Sequence, residues 1–210
     1  MKLHLLLIAQ QLYTMMGVKQ QSVREYEKNN VISFRKTREA YGIFSNMASG
    51  YPLTINELNV KSSEALYQAI KFSHIPEIQL KILIETNPFK AKMVSRENNN
   101  QCRQDWDNIK IKVMRFCLQT KLAQHYETFG KVLKESYPKA IVEYSRTDAF
   151  WGAMPKDNIL VGVNALGRLL MELRADMIEN KRNVFEVAIP DVANFKLLER
   201  NIKPIKMVGT

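Results

Sequence analysis

Apolar residues recur at helical spacing through most of the chain and alternate only in short runs, so the pattern predicts a mainly helical fold with a few strands. Leu166, Leu169, Leu170, Leu173 and Met177 form the clearest helical stripe, with Asn164 as its N-cap and a fade near Asn180. A second helix is predicted from Ser63, as N-cap, to about Ser73, with Leu66, Ala69 and Ile70 as its apolar stripe and Pro76 limiting it. Glu64, Gln68 and Lys71 of that helix share one face at i, i+4 and i+7, which is either solvated or lines a site. Short helices are expected over residues 78–85 and 89–94, with SRENNNQC as a loop. Between residues 107 and 129 apolar side chains cover so much of the circumference that the helix must be largely buried. Its NIKIKV start leaves the first turn open to a strand.

The strand candidates are VISF at 31–34, IVEYS at 141–145 and the alternating NVFEVAIP before Pro190. RKTREAYG should turn at Gly42, IFSNMASGYPLTIN reads as loop with at most one short strand, and RTDAFWGA as an irregular turn. The expected fold class is therefore α+β, a compact and mainly helical single domain over residues 31–180. Residues 1–30 form an extension whose polar part, 19–30, reads as a linker, and residues 181–210 form an appendage packing on the core. The apolar run at 3–9 has no cleavage site and is too short for a membrane span, which needs about 20 apolar residues. An amphipathic helix, or translation beginning at Met15 or Met16, accounts for it, and no membrane association is expected.

At 210 residues, with 46% apolar and 25% charged residues, the chain can bury a core without disulfides, so disordered and fibrous classes are excluded. Cys102 and Cys117 are expected as reduced thiols in a cytoplasmic protein. The net charge of +10 favours polyanionic partners through long-range steering or serves solubility alone, because the basic residues are scattered.

Among possible chemistries, His4, His74 and His125 lie in different elements, which supports neither a metal site nor a nucleophilic triad. Gly162 to Gly167 has phosphate-loop spacing, but Arg168 and Leu169 stand where that loop needs Lys and Ser or Thr. No dinucleotide fingerprint is present, and no cofactor is expected. The Asn164-led helix start binds a phosphate or is simply capped. Glu64, at a helix start, and Asp148, after a strand, are the best candidates for chemistry, each flanked by residues that can shield it from water. Two carboxylates, or one carboxylate with a substrate phosphate or hydroxyl, can activate water and stabilise an oxocarbenium-like transition state, as N-glycosidic cleavage requires. A binding module and a plain core remain alternatives. Trp106 is a core aromatic or a stacking surface for a ring.

Five segments, YGIFSNMA, SSEALYQAIKF, RQDWDNIKIKVM, IVEYSRTDAFWGA and GVNALGRLLMELR, resemble in order and spacing the NADAR family, also called YbiA-like. The resemblance runs from about Val31 to Asp176. It implies a compact α+β fold and N-glycosidase activity. Family members act on phosphoribosylamine intermediates of riboflavin biosynthesis or remove ADP-ribose from guanine bases, the latter opposing ADP-ribosyltransferase toxins. The implied partners here are an ADP-ribosylated guanine nucleotide or nucleic acid, or a phosphoribosylamine metabolite, with a cognate toxin as a further expectation.

Carried over by motif, the resemblance makes Glu64 the residue that positions or activates water, with Gln68 and Lys71 beside it. Asp148, Trp151 and Gly152 fall on the Asp-x-x-Trp-Gly element and are expected at the ribose pocket, Asp148 as the second carboxylate. Asn46 matches the Phe-Ser-Asn element, and Trp106 the Asp-Trp element as a wall. Asn164 and Gly167 match the turn into the last helix, expected to bind phosphate or ribose. Arg174 is expected to meet a carboxylate or the ligand. Lys36 could attack an opened ribose to form a Schiff base, and Arg35 and Arg38 are placed to bind phosphate. The chain departs from many riboflavin-type members, which carry Trp-Pro-Thr before the acidic residue and His after it. Here Val60, Lys61 and Ser62 precede Ser63-Glu64, Ala65 follows, and Met47 replaces an aromatic. The variant resembles members that act on ADP-ribosylated nucleic acid.

Overall fold

The computed structural model describes residues 22–181, 184 and 186–207. The apolar run at 3–9 and the candidate starts at Met15 and Met16 lie outside them. Strands β1 (Arg24–Glu27) and β2 (Val31–Phe34) lead into a hairpin of β3 (Leu53–Ile55) and β4 (Leu58–Val60). Helices α1 (Ser63–Ile70), α2 (Pro76–Leu83), α3 (Pro88–Glu97) and the long α4 (Trp106–Gln124) follow. A π-turn at Tyr126–Gly130 connects to α5 (Lys131–Glu135), then to β5 (Ala140–Glu143), β6 (Met154–Lys156) and β7 (Ile159–Gly162). The last long helix is α6 (Ala165–Ile178), and short strands β8 (Glu186–Val187), β9 (Lys196–Leu197), β10 (Arg200–Asn201) and β11 (Ile205–Lys206) complete the described chain.

The local signals explain most boundaries. Ser62, not Ser63, caps α1, its hydroxyl accepting from the Ala65 N–H at 3.1 Å. Pro76 and Pro88 begin α2 and α3, because a proline at the first helical position lacks only an N–H that has no intrahelical partner. The Asn87 side chain caps α3, which absorbs Ser95–Glu97 of the expected loop. The NIKIKV turn is helical. Helix α4 stops at Gln124, short of the expected 129, where the π-turn begins.

Residues 24–27 correct the linker expectation, forming an antiparallel strand against β7 with Arg24 opposite Gly162 and Glu27 opposite Ile159. Only Tyr26 of β1 is buried, so the strand leaves no apolar pattern of its own. Its ladder comes from a segment more than a hundred residues away. The other pair, β2 with β5, is parallel, placing Phe34 opposite Glu143 at the carboxyl ends of both strands.

One core cluster runs through Phe34, Phe44, Phe72, Phe116 and Phe129 and takes in Phe195, Leu197 and Ile202 of the C-terminal segment. Fully buried Gln79 ties that segment down, donating to the Ala69 and Lys196 carbonyls and accepting from the Leu198 N–H. Lys121 is also enclosed in the core, 1% exposed. Its Nζ donates to the Ile43 carbonyl at 2.6 Å and the Ser45 carbonyl at 3.3 Å, and lies over the Tyr51 and Phe129 rings. Burial pushes its pKa down to about 7.

Asn164 departs from the expected ligand role. It adopts a left-handed conformation, φ 51°, and its side chain makes no capping bond to α6. Instead its fully buried amide clips the open edge of β5, accepting from the Glu143 N–H at 3.0 Å and donating to the Ile141 carbonyl at 2.9 Å. Gly167 permits this approach: a Cβ there would stand 2.2 Å from the Ile141 oxygen and 2.5 Å from Asn164 Oδ1. Gly152 serves the same junction, where a Cβ would meet the Glu143 oxygen at 2.5 Å.

Removing the amide in Asn164→Ala orphans two backbone groups and puts Ala in a strained conformation. The expected cost is about 2–4 kcal/mol in urea-unfolding experiments. Unchanged stability would show that the clip carries no load. For Lys121 the unfolded chain binds the extra proton between about pH 7 and 10.5, so this group's contribution to stability rises with pH across that window. The difference in unfolding free energy between wild type and Lys121→Met should therefore move in favour of wild type from pH 7 to pH 10, and a pH-independent difference would contradict the burial.

Candidate active site

A cleft of about 470 Å³ opens where β2 and β5 end, walled by α1, α3 and the first turns of α4. Residues just beyond the carboxyl ends of parallel strands are free of the ladder and can face a ligand. Arg35, Asn46, Glu64, Gln68, Lys71, Trp106, Asp148 and Trp151, each anticipated from the sequence, all line this cleft. Helix α1 brings Glu64 and Gln68 here because every residue from Ser63 to Ile70 is buried, so no solvated face exists.

Glu64 is 5% exposed. Its Oε1 accepts from Gln68 Nε2 at 2.8 Å and lies 3.6 Å from Lys92 Nζ, so a donor and a cation both engage that oxygen. The Asn46 loop is joined to this helix by the Glu64 N–H, which donates to the Asn46 carbonyl at 3.2 Å. Asn46 Nδ2 lies 2.6 Å from Met114 Sδ, and its buried Oδ1 has no partner among the described residues.

Tyr67 forms the aromatic wall, its ring centroid 4.9 Å from Trp106 and 5.7 Å from Trp151. Lys71 Nζ lies 5.7 Å from the Trp106 centroid and 3.3 Å from Asn99 Oδ1, and burial pulls its pKa down, with the Lys92 and Arg96 charges adding to the effect. Arg35, Lys71, Lys92 and Arg96 give the cleft its positive charge.

Asp148 is exposed rather than shielded. Its Oδ1 accepts from the Phe150 and Trp151 N–H groups, both at 2.9 Å, while Ser145 Oγ accepts from the Asp148 N–H at 2.9 Å. That Asx-type turn carries Trp151 into the wall.

The other anticipated residues stand elsewhere. Lys36 is exposed and does not line the cleft. Gly152, Asn164 and Gly167 form the junction beneath it. Arg174 donates to Ser136 Oγ and the Lys139 carbonyl, both at 2.8 Å, and so meets neither a carboxylate nor the cleft. Arg38 lines a second, polar cleft of about 680 Å³ that shares Thr37 and Met47 with the first.

Glu143, the last residue of β5, was not anticipated. Its side chain faces the cleft, and burial first, then the Asp148 and Glu64 charges, push its pKa up to about 7, with Lys92 opposing them. The sequence signal was a lone carboxylate ending an otherwise apolar strand. Lys92 and Arg96 were also missed, because the α3 face that bears them reads as ordinary solvated surface.

The cleft therefore holds three carboxylates in unlike surroundings, four cations and an aromatic wall. It can bind a phosphorylated, ring-bearing molecule and move protons at its floor. Among the described residues no group of His, Cys, Asp or Glu could hold a metal ion, no helix is long and apolar enough to cross a membrane, and Cys102 and Cys117 are free thiols.

The NADAR domain profile matches residues 33–178. The chain is 32% identical to N-glycosidase YbiA of Escherichia coli over 79% of its own length and 100% of that protein. It is also 32% identical to N-glycosidase Npun_R5314 of Nostoc punctiforme, over 70% of this chain and 92% of that one. A riboflavin biosynthesis protein of Vibrio vulnificus is 32% identical over 75% of this chain but 41% of its own length. The NMR structure of E. coli YbiA superposes with a TM-score of 0.63 at 32% identity, covering 74% of this chain and 89% of that one, so the α+β fold is that of YbiA.

The environment of Glu143 has a measurable consequence. Folded, its carboxyl stays neutral up to about pH 7; unfolded, it ionises near 4.5, so its contribution to stability is lost as pH rises through that interval. Glu143→Gln should match wild type in thermal and urea unfolding at pH 4 and exceed it by about 2–3 kcal/mol at pH 8. Equal stability at both pH values would show a solvated, ordinary carboxylate.

Proposed function

This chain belongs to the NADAR family and is an N-glycosidase, and we propose that the bond it cleaves joins ADP-ribose to a guanine base in nucleic acid. The observation that carries this choice is the pairing of the carboxylate-floored cleft with the second, polar cleft of about 680 Å³ across Thr37 and Met47. A ribose carrying one phosphate needs only the first. A pyrophosphate and a second nucleoside need room beyond it, and cations on the way: Arg35 stands in the first cleft and Arg38 in the second. The aromatic wall of Tyr67, Trp106 and Trp151 suits a stacked ring, and the net charge of +10 suits a polyanionic substrate.

Glu64 is the group proposed to position and activate the attacking water. Gln68 and Lys92 hold its carboxylate in place through one oxygen, leaving the second for the water. Asp148 keeps one carboxylate oxygen for its own turn. The other is free to accept a ribose hydroxyl or to oppose the positive charge that develops on the sugar as the bond breaks. On this geometry the water route through Glu64 is favoured over a Schiff base at Lys36, which stands outside the cleft.

A second reading, hydrolysis of phosphoribosylamine intermediates, is supported by relatives named riboflavin biosynthesis proteins in Vibrio vulnificus and maize. A reader that binds ADP-ribose without turnover is the alternative of another class.

Chromatography of a guanine-ADP-ribosylated oligonucleotide should show free ADP-ribose released by wild type, unaffected by a chelator. Glu64→Gln should reduce kcat at least about 100-fold while leaving ADP-ribose affinity within a few-fold. Release from phosphoribosylamines alone would transfer the function to the second reading, and tight ADP-ribose binding without turnover of either substrate would make the protein a reader.

A further inference from the structure

Cleavage of an N-glycosidic bond leaves an electron pair on the departing nitrogen, and a base as poor a leaving group as guanine needs a proton there. Glu64 is already engaged, its Oε1 accepting from Gln68 at 2.8 Å and lying 3.6 Å from Lys92. Asp148 is exposed and bound into its own turn. Glu143 differs from both. Its backbone is fixed, the N–H by Asn164 Oδ1 and the carbonyl by the Ala153 N–H at 2.8 Å, but no hydrogen bond or ion pair engages its carboxyl among the described residues. That carboxyl faces the cleft from the rigid end of β5.

The charged groups that line the cleft with it are Glu64 from α1 and Lys71 just past its end, Asp148 from the turn after β5, Arg35 from the end of β2, and Lys92 and Arg96 from α3. Helices α4 and α6 contribute only uncharged side chains to the cleft. Lys92 is engaged with Glu64, and Lys71 with Asn99. Burial first, then the Asp148 and Glu64 charges, disfavour a third anion here against the opposing charge of Lys92, and Glu143 keeps its proton to about pH 7.

We propose that Glu143 is the general acid of this cleft, giving its carboxyl proton to the departing nitrogen of the base while Glu64 takes a proton from the attacking water. The C1′–N bond breaks with its electron pair going to the departing nitrogen, which receives the Glu143 proton. The water oxygen bonds to C1′ and surrenders a proton to Glu64. The sum is addition of one water across the bond, and exchange with solvent returns the Glu64 proton to Glu143. The proposal rests on the N-glycosidase reading of the same site.

The test compares wild type with Glu143→Gln and Glu143→Asp on two substrates: an ADP-ribosylated guanine oligonucleotide, and ADP-ribose bearing 4-nitrophenolate at C1′, whose leaving group needs no proton. For wild type, kcat/KM on the guanine substrate should fall on the alkaline side of about pH 7. Glu143→Gln should lose that limb and about 100-fold or more in kcat, with KM nearly unchanged, yet stay within about threefold of wild type on the nitrophenyl substrate. Glu143→Asp should recover part of the guanine activity. Retained ADP-ribose affinity and a single cooperative melting transition establish that each variant folds. Equal losses on both substrates, or an alkaline limb that persists in Glu143→Gln, would overturn the role of Glu143 while leaving the N-glycosidase reading intact. No release of base by folded wild type from either this oligonucleotide or a phosphoribosylamine would sink both.

Discussion

The buried amide of Asn164 is the contact on which the rest of the site depends. Strand β5 pairs with β2 along one edge, and its other edge would end in unsatisfied backbone groups. Asn164 supplies one acceptor and one donor there, for the Glu143 N–H and the Ile141 carbonyl, and so fastens the start of α6 to the end of β5. Asparagine tolerates the left-handed backbone this requires, and Gly167 and Gly152 clear the space. From this junction the chain directs Glu143 into the cleft, turns at Asp148 and brings Trp151 against Tyr67.

The opposite wall depends on a different constraint. Helix α1 is buried on all sides, so its polar residues must find partners inside the protein or face a cavity. Glu64 and Gln68 satisfy each other and open on the cleft. Lys121 holds the adjoining loop by its Ile43 and Ser45 carbonyls, and that loop delivers Asn46 to the same cavity. Both walls thus meet the cleft with groups fixed by buried hydrogen bonds, which is what preorganisation requires. The carboxylates then differ by their neighbours: Glu64 has a donor at 2.8 Å and a cation at 3.6 Å, whereas no hydrogen bond or ion pair engages the Glu143 carboxyl among the described residues.

Several elements were legible in the sequence because their signals are local. The stripe of Leu166, Leu169, Leu170, Leu173 and Met177 marks α6, and VISF and IVEYS mark the parallel pair. Strands β1 and β6 were not legible, having one buried residue between them, and they exist only because β7 lies between them to complete both ladders. Within the site, Glu64, Gln68, Asp148 and Trp151 were found through motif spacing. Asn164, Gly167 and Arg174 shared those motifs, yet they serve the joints beneath the cleft, because a motif marks what the fold needs at a position without separating contact with ligand from support.

By itself the sequence determined the helix-rich α+β class, the order of the main elements, the basic charge and a family likeness that brought Glu64 and Asp148 forward. These follow from periodicity, capping and spacing, which are properties of neighbouring residues. The tertiary structure alone decided that the polar face of α1 is enclosed, that Asn164 clips a strand, and that Glu143 is buried within reach of the Asp148 and Glu64 charges. The physical reason is that burial and electrostatic environment are set by segments distant in the chain, and the proton affinity of a carboxyl depends on what those segments bring beside it.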